Sequence, residues 1–164
     1  MRLNNFLIAV LLVGFMGTTV FAQEGAPLVI GKDLKVGMPL ENVIAKLGIP
    51  RNIIVNRGTE PQADSVAIEY QQHGIVIHAM SRKGSVEEIE VLPNFKGTFA
   101  EGIKLGAKFT DLIGKYGMPH TLSSKVARYT ETGMYFMLEK EALVSAKVFA
   151  RNSKIFDLQM INKK

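Results

Sequence analysis

The sequence predicts an α+β fold: a duplicated helix–β–β–β unit, with the short helices packed on one face of an antiparallel sheet. Three observations carry that prediction. Two 15-residue stretches, VGMPLENVIAKLGIP at 36–50 and LGAKFTDLIGKYGMP at 105–119, align without a gap. A second pair, VAIEYQQHGIVIHAM at 66–80 and VARYTETGMYFML at 126–138, sets three residues between a tyrosine and a glycine both times. Further segments that alternate between apolar and polar residues follow each pair.

The first pair reads as helices. Leu40, Val43, Ile44 and Leu47 recur at i, i+3, i+4 and i+7, as do Phe109, Leu112, Ile113 and Tyr116. That spacing lines one face of a helix. Pro39 suits the first helical position, where its missing N–H is no loss. Asp111 puts a negative charge near the positive end of the second helix dipole. Gly48 and Gly117 follow the last stripe residues, where glycine takes a positive φ without a Cβ penalty. Ile49 and Met118 are expected to fold back as the apolar contact of a Schellman-type cap, and Pro50 and Pro119 forbid continuation. LGIP and YGMP are therefore helix terminators and not ligand loops. Gly37 and Gly106 would mark the turn from short leading strands, DLKV and GIKL, into the helices.

The second pair reads as hairpins. Val66, Ile68 and Tyr70 alternate, as do Ile75 and Ile77, with Gly74 and Gly133 supplying the turns. SVEEIEVL at 85–92 is a third strand, matched by VSAKVFA at 144–150, and KIFDLQMI at 154–161 adds a last one. The units span about 31–96 and 101–161. Each is too small for confident independent stability. The connection PNFKGTFAEG holds Phe95 and Phe99 as apolar anchors, so residues 23–164 read as a single domain. The loop NRGTEPQADS is either a mobile solvent loop or the variable part of a binding edge.

Residues 1–22 have the pattern of a secretory signal peptide. Arg2 gives a positive n-region, Phe6 to Val13 an apolar run, and Val20 and Ala22 small residues before a cut at Gln23. The run is short for an uncleaved anchor and is diluted by Gly14, Gly17, Thr18 and Thr19. These features lead to an expectation of a periplasmic or secreted protein without stable membrane insertion after processing. The chain has no cysteine, which excludes a lipid-bearing cysteine, disulfides, thiol chemistry and cysteine metal sites. The net charge of +5 includes Arg2, and no basic run exceeds two residues. With the export signal, that argues against nucleic acid as a partner.

The pattern G-M-P-x-x-x-V-x-x-x-L-G-x-P in GMPLENVIAKLGIP resembles the helix signature of the small outer-membrane assembly lipoprotein family. The tandem arrangement is similar to the secreted β-lactamase inhibitor proteins, which duplicate a comparable helix-plus-sheet unit. The resemblance implies a small, exported, non-enzymatic protein acting through protein contacts. It carries over no ligand-binding residue.

The residues offer little chemistry. His73 and His78 lie five apart across a turn, so their side chains need not converge; a metal pair with Glu69 is weighed against the ordinary reading, a turn histidine and a strand histidine. Glu87 and Glu88 are adjacent on a strand and point to opposite faces. Glu139 and Glu141 flank Lys140 on a solvated rim. No serine lies in G-x-S-x-G, and IGKDLKVG is no phosphate loop. No catalytic residue, metal site or cofactor is assigned. Tyr70, Tyr129 and Tyr135 remain as an interaction surface, since tyrosine offers rigid contact area with a polar end. The alternative for Tyr70 and Tyr129 is core packing with Val66, Ile68 and Val126. The expected function is a non-enzymatic interaction domain for another envelope or secreted protein. A small-ligand carrier or sensor is the alternative, and an enzyme of unknown class comes third.

Overall fold

The framework of the fold is an eight-stranded antiparallel sheet with two short helices, seen in a computed structural model that describes residues 27–58 and 60–153. The signal peptide, its cleavage site and the strand expected over 154–161 lie outside the described residues. In chain order the elements are β1 (Val29–Ile30), α1 (Leu40–Leu47), β2 (Asn52–Asn56), β3 (Ser65–Tyr70), β4 (Ile75–Met80) and β5 (Val86–Val91). There follow β6 (Thr98–Phe99), α2 (Phe109–Tyr116), β7 (Thr121–Leu122), β8 (Val126–Tyr129), β9 (Met134–Glu139) and β10 (Ala142–Phe149). The fold is thus broadly α+β. Each helix is followed by four strands and not by the three expected, because β2 and β7 form directly after Pro50 and Pro119. The leading strands also fall earlier than DLKV and GIKL, at β1 and β6, which pair parallel with each other.

The sheet order is β2-β3-β4-β5-β10-β9-β8-β7. The strands after α1 fill one half and those after α2 the other. They meet at β5 and β10, where Val91 faces Ala146, Glu90 faces Lys147 and Ile89 faces Val148. Alternation sends Ile68, Ile77, Ile89, Ala146, Phe136 and Ala127 to one face, and all belong to a single buried cluster with Val43, Leu47 and Leu112 of the helices. Phe95 and Phe99 of the connection are in that cluster. The Phe99 ring meets Phe136 edge-on at 5.4 Å, and Phe136 in turn contacts Tyr116 and Tyr129. Burial of apolar surface is the main favourable term available to a chain without disulfides, and these rings contribute to it alongside the aliphatic residues of the cluster.

The two helices are docked alike. Gly37 N–H donates to Val86 O at 2.7 Å, and Gly106 N–H to Leu143 O at 2.7 Å. Leu40 N–H reaches Gly84 O at 2.9 Å, and Phe109 N–H reaches Glu141 O at 2.9 Å. Donors that a helix start leaves without an internal partner are satisfied by the turn entering β5 or β10. Pro39 stands one residue before α1, not inside it. At α2 the Asp111 carboxylate accepts the Lys108 N–H at 2.9 Å. Lys108 has no acceptor to reciprocate, so this is half of a capping box.

The terminators depart from the expected cap. Gly48 has φ 81° and ψ −163°, and Gly117 has φ 75° and ψ −164°. The positive φ is as expected, but this is an extended region open essentially to glycine alone, not the left-handed helical one. The chain therefore swings away, and Ile49 and Met118 are 88% and 71% exposed instead of folding back.

Candidate functional site

The face of the sheet opposite the core carries the titratable groups. One row of cross-strand neighbours runs Asn52, Glu69, Val76, Glu90, Lys147, Tyr135, Arg128, Thr121. Its acidic members lie in the first half and its basic members in the second. At the centre Lys147 Nζ is 2.8 Å from Glu88 Oε1 and 3.5 Å from Glu90 Oε2. His78 Nε2 is 3.2 Å from the same Glu90 oxygen. The β4–β5 and β5–β10 registers bring these four together, with Glu88 opposite His78 and Glu90 opposite Lys147. The His78 hydrogen bond, with the Lys147 ammonium, holds the Glu90 carboxyl below its usual range, while burial acts the other way. Glu88 is fully buried, a state that a carboxylate tolerates only when paired.

His78, Glu88 and Glu90 place ligand atoms within 4.8 Å of one another. Lys147 already bridges the two carboxylates, so a metal ion would compete with its ammonium for them. The pairing differs from the one suggested by spacing: Glu69 bonds to Asn52 and Gln71, and His73 sits in the turn after β3. Glu87 and Glu88 go to different partners: Glu87 pairs with Lys83 and Glu88 with Lys147, both at 2.8 Å. Glu87 is the extra residue where the β4–β5 register shifts. Lys140 and Glu141 form the β9–β10 turn with φ 50° and 64°.

The three candidate tyrosines are not brought together. Tyr70 and Tyr129 are inside, at 0% and 6% exposure. They offer a partner no strip. The Tyr129 hydroxyl donates to Gly117 O at 3.0 Å, tying β8 to the end of α2. The Tyr70 hydroxyl is buried without a hydrogen-bond partner among the described residues. Tyr135 lies on the opposite face, with its ring edge-on to Phe149 at 5.2 Å and the Arg128 guanidinium 5.8 Å above it. Burial pushes its hydroxyl up, and Arg128 opposes that. It borders a depression of about 860 Å³ lined also by Arg128, Thr130, Phe149 and Arg151.

A feature that the sequence reading missed lies at the margins of the sheet. The exposed large apolar side chains among the described residues are Ile44, Ile49, Ile53, Ile54, Val55, Met118 and Leu122. All lie on α1, on the helix exits, or on β2 and β7, the outermost strands. All five residues of β2 are exposed. The run NIIVN was a signal for a strand, being rich in β-branched residues, but its proximity to Pro50 hid it. No protein-family model matches this chain, and neither curated proteins nor solved structures give a match.

Proposed function

We propose that this chain is a non-enzymatic, exported interaction domain, built from two copies of one helix-and-sheet unit, that engages protein partners through the margins of its sheet. The observation that carries the reading is the confinement of exposed large apolar residues to α1, the helix exits and the outer strands β2 and β7. Exposed apolar side chains gathered in this way mark contact sites, whereas scattered ones need no explanation. Duplication is supported by the matched sequence stretches, the paired hydrogen bonds of the two helix starts and the near-identical dihedral angles of Gly48 and Gly117. Export is supported by the signal-like pattern of residues 1–22. The resemblance to assembly lipoproteins and β-lactamase inhibitor proteins points the same way.

The test is capture from an envelope fraction. A variant with Ile53→Lys and Val55→Lys, checked for an unchanged circular dichroism spectrum, should lose the protein that the parent retains. Equal retention by both would remove the margin from the proposal. A second reading, a carrier of a small anionic ligand, is favoured by Arg128 and Arg151 on the depression beside Tyr135. Native mass spectrometry of the purified protein should then show a bound species that Arg128→Ala loses.

A further inference from the structure

We infer that β2 pairs with β2 of a second copy of this chain, antiparallel and about a two-fold axis at Ile54, so that two sheets become one. The inference rests on reading the sheet margins as contact surfaces and names the partner at one of them. Among the described residues β2 pairs with β3 on one side and with no strand on the other. An antiparallel ladder then leaves the N–H and C=O of every second residue directed outward. Natural edges are usually blunted by lysine, proline or a bulge. Between Arg51 and Arg57, β2 carries only Asn-Ile-Ile-Val-Asn, and Ile53, Ile54 and Val55 are 57%, 41% and 52% exposed.

The choice of a second copy comes from the strand itself, because NIIVN is nearly the same read backwards. Self-pairing centred on Ile54 sets Ile54 opposite Ile54, Ile53 opposite Val55, and Asn52 opposite Asn56. Aliphatic faces aliphatic and amide faces amide, the pairs that stabilise a ladder. A one-residue slip sets Asn52 against Val55 or Asn56 against Ile53, so the register is specified. Arg51 would fall opposite Arg57 of the second copy, but Arg57 is held by Asp64 at 2.7 Å, which blunts that repulsion. The other margin does not offer the same, since β7 is two residues long.

The absence of native cysteine makes the test direct. The purified protein should double in mass with rising concentration in sedimentation equilibrium. Ile54→Cys should link into a covalent dimer on mild oxidation, because paired antiparallel Cα atoms stand roughly 4.5–5.5 Å apart, within disulfide reach. Asn52→Cys and Asn56→Cys should each stay unlinked alone and link when mixed, and Val55→Pro should be monomeric with an unchanged circular dichroism spectrum. A protein that stays monomeric with Ile54→Cys unlinked overturns the inference, as does a dimer linked through Leu122→Cys instead. A monomer that still captures an envelope protein through Ile53 and Val55 overturns self-pairing and leaves the interaction reading intact. A monomer that captures nothing through either margin overturns both.

Discussion

Tyr70 and Tyr129 occupy matching places in the two halves but differ in one hydrogen bond. The Tyr129 hydroxyl has Gly117 O, and the Tyr70 hydroxyl has no partner among the described residues. Removing a made bond leaves the Gly117 carbonyl to fend for itself, so Tyr129→Phe should cost about 1 kcal/mol. Tyr70→Phe removes a buried unpaired hydroxyl and should be neutral or stabilising; urea midpoints measure both. Gly48 and Gly117 make a sharper case. A Cβ at either would meet nothing within 4 Å, so the cost of Gly48→Ala or Gly117→Ala is conformational and not steric crowding. We expect about 1–3 kcal/mol for each, and a variant melting like the parent would contradict the observed dihedral angles. Glu141 runs in the opposite direction. It has φ 64° where the equivalent turn of the first half has Gly84 at φ 61°, and both carbonyls receive a helix-start N–H. Glu141→Gly should therefore stabilise by about 1 kcal/mol, seen as a higher denaturant midpoint at unchanged slope.

At the scale of elements, the β5–β10 junction is where the halves meet and where a carboxylate is buried. Lys147→Met would leave Glu88 without its 2.8 Å partner and should cost about 3 kcal/mol at neutral pH, more than Lys83→Met at the exposed partner of Glu87. Acid titration gives a second handle. Glu90 has a lower pKa folded than unfolded, so its contribution is present above the unfolded value of about 4.3 and is lost as pH falls through the folded one. Glu90→Gln should accordingly make the loss of stability on acidification shallower. Which elements were legible in the sequence follows from range. Both helices were, because the stripe at Leu40 to Leu47 and the Gly-x-Pro ending are local signals. The hairpins about Gly74 and Gly133 were legible for the same reason. β2 and β7 were not, since Pro50 and Pro119 read as the start of a loop and NIIVN lacks alternation. The Schellman contact failed because the composition Gly-Ile-Pro specifies a positive φ but not ψ. The cluster of His78, Glu88, Glu90 and Lys147 was out of reach, because it depends on a register between strands nearly sixty residues apart.

For the whole molecule, the sheet passes from β2 to β7 without a break, and the core takes residues from both helices and from Phe95 and Phe99. Calorimetry should therefore show one transition, and isolated 23–98 and 99–164 fragments should be largely unfolded, since each would lose the β5–β10 pairing. The continuous sheet has two margins, one long and one short, with a broad polar face between them. The most direct measurement is a photo-crosslinking scan in intact cells, with the reactive side chain placed singly at Ile53, Ile54, Leu122 and Arg128. Protein adducts should form from Ile53 and Ile54 on β2, and none from Arg128 on the polar face. Adducts confined to Arg128, or absent from every position on the two margins, would contradict an interaction domain that works through the edges of its sheet.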